Sequence, residues 1–209
     1  MRIAVSPTRM EFLRLQKRLA IAVRGHKLLK DKLEGLIQEF LPIVEEYRKM
    51  RLEVDRELPG VMRMFVLARI ASDRHTIESA LIQSQATLKL SSEQKRIMSV
   101  PVPSLSVEFG REGAGYSFLD TPAELDSAIS DLREYFPKLV RLAELEQMVW
   151  LLSIEIEKTR RRVNALEYVM IPQIRESLRY IRSKLEELER STITRLMKVK
   201  EIIASGKKA

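Results

Sequence analysis

LAELEQMVWLLSIEIEKTRRRVNALEYVM, Leu142–Met170, is the stretch whose reading decides the fold. Its stripe runs Leu142, Leu145, Val149, Leu152, Ile156, Thr159, Val163, Leu166, Met170, in alternating steps of three and four. That is the spacing of a left-handed coiled coil. Past Met170 the stripe continues through Ile174, Leu178, Ile181, Leu185, Leu188, Thr192, Leu196, Val199 and Ile203. Extra four-residue steps fall around Ile174 and Thr192, stutters that unwind a supercoil locally. No glycine lies between Gly115 and Gly206. A helix from Pro122 to Ala204 would be about 120 Å long at 1.5 Å per residue, whereas ordinary globular helices run to ~10–14 residues.

A second long pattern fills the other end of the chain. Its seam reads Phe12, Leu15, Leu19, Ala22, His26, Leu29, Leu33, Leu36, Phe40, Ile43, Tyr47, Met50, Val54, again without a slip. Either Ser6-Pro7 or the capping box Thr8-Arg9-Met10-Glu11 can start this helix. Pro42 predicts a modest kink, and Leu58-Pro59-Gly60 is read as its end. Residues 61–86 read as a shorter amphipathic helix. Thr121-Pro122-Ala123-Glu124 is the clearest capping box in the chain, and Pro137 predicts a bend or restart. Between these helices, Ile97–Pro103 and Leu105–Phe109 alternate β-branched and polar residues, and Gly110, Gly113 and Gly115 supply turns. The segment from Thr87 to Ser117 is expected to hold a short β-hairpin or irregular excursion, the hairpin near 97–118 and edge-like because prolines cannot complete a ladder.

The expected fold is mainly α: a long antiparallel two-helix coiled coil of the N- and C-terminal helices, with a small central foot. The expected division is 1–58 for the first helix, 59–136 for the foot and 137–209 for the second. Antiparallel pairing brings the chain ends together. The formal charge of +8 is concentrated there, with about +4 over residues 1–60, −2 over 61–149 and +6 over 150–209. Such asymmetry speaks about partners: nucleic acid, anionic membrane or an acidic protein surface.

The 209 residues contain no cysteine, which excludes disulfides and thiolate metal sites and fits a cytosolic protein. No signal peptide is visible, and the apolar runs near Met148–Ile154 and Met64–Ala71 are too short or too interrupted to span a bilayer. His26 and His75 lack the company of a metal motif, and no phosphate-binding loop is present. His26 is the one polar member of the first seam, where a packed or partly solvated histidine is the ordinary reading. Carboxylates such as Glu186, Glu187 and Glu189 lie beside Lys184 and Arg190, as solvated ion pairs do. Trp150 and the methionines Met50, Met148 and Met170 are read as packing. Arg160-Arg161-Arg162, followed by Arg175, Arg179 and Arg182, ordinarily mark a solvated helix face. Arginine clusters also suit bidentate contacts with carboxylates or phosphates.

Thr159-Arg-Arg-Arg-Val-Asn-Ala-Leu-Glu-Tyr-Val-Met-Ile-Pro172 closely resembles a signature of the D subunit of the rotary V-type and archaeal A-type ATPases. Ser6-Pro-Thr-Arg9, Gly25-His-Lys-Leu-Leu-Lys30, Leu185-Glu-Glu-Leu-Glu-Arg190 and Arg195-Leu-Met-Lys-Val-Lys200 are similar to the same family. Ile97-Met-Ser-Val-Pro-Val-Pro103 looks like its hairpin segment, with Ser99 where Gly is expected. The resemblance implies a non-catalytic rotor shaft without cofactor or metal, cytoplasmic and peripheral to the membrane. It implies insertion into a hexamer of catalytic A and B subunits. It also implies binding of the small F subunit of the rotor and docking on the membrane-ring connector, the C or d subunit, without contact to nucleic acid. Arg9, Arg160, Arg161, Arg162, Arg175, Arg179 and Arg182 are then expected to face the hexamer. Pro172 is expected to bend the shaft, and Ile97, Met98, Val100 and Val102 to meet partners at the foot. The alternatives are a basic coiled-coil module for nucleic acid or anionic membrane, and a generic scaffold.

Overall fold

The protein is described by a computed structural model covering residues 6–83, 88–110 and 121–206. The elements in chain order are α1 (Arg9–Ala71), α2 (Arg74–Gln83), β1 (Leu88–Ile97), β2 (Val100–Phe109) and α3 (Ala123–Asn164). A π-helical turn (Ala165–Met170) then leads into α4 (Ile171–Gly206). The two long helical runs pack together, with the hairpin and the short helix between them in sequence. Contacts divide the chain into two units, one of residues up to Glu34 with those from Glu157, the other Gly35–Ile156.

Thr8 starts α1: its Oγ1 accepts the Glu11 N–H at 3.3 Å, and its carbonyl accepts that of Phe12 at 3.0 Å. The capping box is therefore the start site, ahead of the Ser6-Pro7 option. Every residue of the first seam, Phe12 to Val54, is buried or half-buried. In the first unit Leu15, Ile174 and Ile181 form the core, flanked by Phe12, Leu19, Leu178 and Leu185.

The expectation that Leu58-Pro59-Gly60 ends the helix is overturned, because α1 runs through both Pro42 and Pro59 to Ala71. Leu58, Val61, Phe65 and Ala68 prolong the seam by steps of four, three, four and three, and all are at least half-buried. Leu58 and Val61 join the cluster of Val54, Tyr135 and Leu142, while Phe65 and Ala68 join Ile77, Ala80 and Leu125. Full burial of a Leu, Val or Phe side chain contributes about 1.5–3 kcal/mol, so three of them partly buried together with Ala68 offset a proline cost of ~3 kcal/mol. Both prolines lie on exposed positions. The Tyr135 hydroxyl donates to the Val54 carbonyl at 2.9 Å, in the turn that Pro59 weakens. Burial chiefly, with Glu57 nearby, pushes the Tyr135 phenol above its usual pKa. The helix foreseen over 61–86 is thus two: the end of α1 and, after Ser72-Asp73, α2. The Asp73 carbonyl accepts the N–H groups of Thr76 and Ile77 at 3.1 and 3.3 Å.

The hairpin lies earlier than residues 97–118. Its strands pair in antiparallel register from Leu88↔Phe109 to Ile97↔Val100, so Ile97–Phe109 holds a turn and one strand rather than a whole hairpin. Gly113 and Gly115 fall outside the described residues. Met98 and Ser99 form the two-residue turn with φ of 47° and 71°, the left-handed pair of a type I′ turn that favours glycine at its second position. Replacing Ser99 by Gly is expected to stabilise the hairpin by about 1 kcal/mol. Hydrogen exchange of the β1 and β2 amides measures this, and faster exchange in the variant would refute it.

The prolines do not spoil the ladder. Ile97 and Val100 flank a two-residue turn and are a hydrogen-bonded pair, so Arg96↔Pro101 and Gln94↔Pro103 are the non-bonded pairs. The proline nitrogens thus face the outer edge of β2. Toward the turn, one hairpin face buries Val100 and Val102 against Leu36, Met148 and Leu152. The terminal methyl of Met98 lies over Gly35, where a Cβ would displace only the end of that flexible side chain. At the open end Phe109 meets Phe136 edge-on at 6.2 Å, with Arg133 over the Phe109 ring at 5.2 Å.

Along α3, Leu142, Leu145, Met148 and Leu152 are buried. Pro137 does not restart the helix, which is continuous from Ala123. Trp150 is 56 % exposed, contrary to its reading as packing, because Met148 and Leu152 occupy the inward positions on either side of it.

Candidate functional site: the arginine-bearing π-turn

The arginine run sits on the last turns of α3 in the first unit. Thr159 and Val163 take the buried positions, which leaves Arg160, Arg161 and Arg162 on the exposed side. Arg161 is ion-paired to Glu157 one turn earlier. Such an exposed i,i+4 pair contributes only about 0.3–0.5 kcal/mol, so this pair adds little to stability.

Immediately after it the helix widens. The Ile171 N–H bonds to the Leu166 carbonyl, five residues back, and no residue of Ala165–Met170 is buried. Buried positions resume at Ile171, eight residues after Val163, where two α-turns take about seven. The stutter foreseen around Ile174 is therefore executed one turn earlier. Met170, read as a packed seam residue, is 38 % exposed, and Ile171 takes its place. Pro172 accounts for the position of the turn. It cannot donate to the Tyr168 carbonyl, and its ring would crowd that carbonyl in a tight α-turn. Widening to an i−5 pattern removes the conflict.

Two features around this turn were not read from the sequence. Glu167 Oε2 lies 3.2 Å from His26 Nε2, so the polar member of the first seam reaches the π-turn. The Ser177 hydroxyl is buried with no hydrogen-bond partner. The extra four-residue step was the only sequence signal for either.

The remaining candidates are spread along the same helix pair. Arg175 and Arg179 are exposed, and the Arg182 guanidinium stands 5.7 Å over the Phe12 ring. Arg9 pairs with Glu189, which confirms that the two basic ends converge in this unit. Beyond Leu185 the stripe of α4 is uncovered: Leu188, Leu196, Val199 and Ile203 are all more than half exposed. The hairpin candidates lie in the other unit. Val100 and Val102 are buried, Ile97 packs against them, and Met98 is 42 % exposed over Gly35. Three of these four residues thus turn their apolar surface toward the chain's own core.

Deleting Tyr168 together with Pro172→Ala would turn the eight-residue step into seven and restore a continuous heptad. This variant is expected to keep its unfolding free energy within about 1 kcal/mol of the parent. Denaturant titration decides; a loss of ~3 kcal/mol or more would show that the π-turn supports the packing.

Among the described residues there is no group of three or more metal-capable side chains, and no helix is long and apolar enough to cross a membrane. An antiparallel helix pair with an uncovered apolar and basic end defines a mainly helical assembly protein, since contiguous exposed apolar surface marks contact sites. A family model for the ATP synthase D subunit matches residues 11–201. The chain is 47% identical over 206 residues to the V-type ATP synthase D subunit of Thermoanaerobacter sp. (strain X514), covering 98% of this chain and 99% of that protein. It is 43% identical over 208 residues to the V-type ATP synthase D subunit of Clostridium botulinum (strain Langeland), covering 97% and 96%. The chain belongs to the ATP synthase D-subunit family.

Proposed function

We propose that this chain is the central rotor shaft of a V/A-type ATPase, carrying torque between the catalytic hexamer and the membrane ion-translocating ring. In this reading it couples ATP hydrolysis or synthesis to proton or sodium transport and catalyses nothing itself. It needs no cofactor and works on the cytoplasmic side, peripheral to the membrane. Its partners are the A and B subunits, the small F subunit of the rotor and the ring connector C or d. The observation that carries the reading is the near-full-length similarity to D subunits, joined to a helix pair whose Arg160–Met170 stretch is wholly exposed apart from Val163 and Leu166.

Physically, a shaft must resist bending and twisting, and packed helices supply that. It must also favour different states of the surrounding sites, because a surface that fits all states equally shifts no equilibrium. The π-turn, the arginines on one side of it and a Pro172-set bend make the cross-section unequal. Arg9, Arg160, Arg161, Arg162, Arg175, Arg179 and Arg182 are proposed to meet acidic or polar collars of the hexamer. Ile97, Met98, Val100 and Val102 shape the hairpin that meets the foot's partners.

The test is to neutralise Arg160, Arg161 and Arg162 together by Ala in the reconstituted complex. Assembly is expected to persist while ion transport per ATP falls several-fold. Unchanged coupling would remove these arginines from the mechanism, and failure of the wild-type chain to assemble with the hexamer would remove the shaft reading.

A further inference from the structure

The hairpin's two edges are unlike. On β2 the outward-facing backbone positions include Pro101 and Pro103, which present no N–H, and this edge is blunted as natural sheet edges are. On β1 the outward positions are those of the non-bonded pairs, Leu88, Leu90, Ser92, Gln94 and Arg96, all with N–H groups. Every β1 residue from Leu88 to Arg96 is exposed, and among the described residues no backbone group outside the hairpin bonds to this edge. An open edge of this length is a template for another strand.

Two further observations say what would fill it. Lys89, Lys95 and Arg96 outnumber Glu93, so the edge is basic. Leu88 and Leu90 share a face with Leu105, Val107 and Phe109, yet are 44 % and 56 % exposed. That apolar face is unfinished on its β1 side. Two copies pairing through β1 would bring lysines toward lysines, which like-charge cross-strand contacts disfavour. An acidic strand with apolar residues on alternate positions would satisfy charge, hydrogen bonds and the apolar face at once.

We propose that the outer edge of β1 receives an extended acidic segment of another protein of the ATPase complex as a third strand. This rests on membership of the complex and not on torque transmission, so the two readings fail separately.

Hydrogen exchange of the whole chain, free and in the assembled complex, tests it. The amides of Leu90, Ser92 and Gln94 are expected to exchange fast in the free chain and to be protected on assembly. Equal exchange in both states overturns the proposal. Protection in the free chain that grows with its concentration also overturns it, because the occupant is then a second copy. Ser92→Pro with Gln94→Pro copies onto β1 the device found on β2, removing outward N–H groups while keeping the ladder. This variant is expected to keep its helical signal and inner hairpin protection, and to bind the rest of the complex about tenfold or more weaker. Full-strength binding with an intact hairpin overturns the proposal, and the exchange comparison on the wild-type chain decides the matter if the variant misfolds. Lys89→Glu with Lys95→Glu keeps every backbone donor and is expected to weaken assembly as well; unchanged or tighter assembly overturns the acidic partner.

Discussion

Arg141→Met is expected to lower the unfolding free energy by about 3 kcal/mol, although Arg141 lies at the surface of the second unit. Its Nη2 donates to Glu46 of α1 at 2.8 Å, and its Nη1 contacts Glu144 of α3 at 3.1 Å. The Glu46 hydrogen bond raises the guanidinium pKa most, with Glu144 adding to it and burial opposing it. The asymmetry between the two carboxylates sets the magnitude. Glu46 is 48 % exposed and water can replace the arginine there, whereas the Glu144 side chain is only 4 % exposed. Removing Arg141 therefore strands a buried carboxylate, and the cost is desolvation that nothing offsets rather than the value of an ion pair. Arg141→Met with Glu144→Leu should recover most of the loss, since replacing both partners by apolar groups is often neutral. Denaturant titrations of the two single variants and the double variant measure the coupling. Additive losses would show that Glu144 is not held by Arg141.

The contrast with the surface arginines is instructive. Arg161 forms an ion pair within one exposed helix face, and its loss should scarcely register in stability. Charge at Arg141 is structural because of one buried neighbour, and that neighbour could be named from the sequence only as an i,i+3 partner. Glu46 is 95 residues away in sequence, and only the packed helices bring it into range.

Much of the helix pair was legible because periodicity is local. The seam from Phe12 to Val54 is buried or half-buried at each position, as a three-four repeat requires. The misreadings arose where a local rule met a longer-range gain. Pro59 is a helix breaker by itself, but Leu58, Val61, Phe65 and Ala68 carry the stripe across it. Strand β1, LKLSSEQKRI, has little β-branched character, and it becomes a strand through its partner and a two-residue turn. Ser99 hid that turn, since serine is not the residue that a left-handed position announces. The π-turn was signalled by phase, yet a repeat shows only that a residue is extra and not which turn absorbs it. Of the candidate residues, the arginines lie exposed along one helix pair, whereas Ile97, Val100 and Val102 were chosen by resemblance and lie in a core. Alternation alone cannot say which strand face finds a helix to cover it.

The core under the hairpin leads to the other large effect. Val102→Asp is expected to displace the hairpin from the helices. Val102 is 1 % exposed and packs in one cluster with Leu36, Val100, Met148 and Leu152. A carboxylate there would be buried among these apolar neighbours, its nearest cation the exposed Lys95 opposite it on β1. Holding it in place would cost several kcal/mol, whereas lifting the hairpin frees both charges to water. The chain has a cheaper escape than global unfolding. The hairpin can lift away, which costs only its own docking free energy and leaves the helix pair to re-solvate Leu36 and Leu152. The expected outcome is therefore local: the helical circular dichroism signal is kept, while protection of the β1 and β2 amides falls by at least about a hundredfold, the equivalent of ~3 kcal/mol. Leu152→Ala makes the comparison. It removes packing shared by both helices and the hairpin, so its cost of about 2–5 kcal/mol should appear in the global transition. If Val102→Asp instead lowers the global transition as Leu152→Ala does, hairpin and helices fold as one unit. The hairpin would then have no separate docking equilibrium.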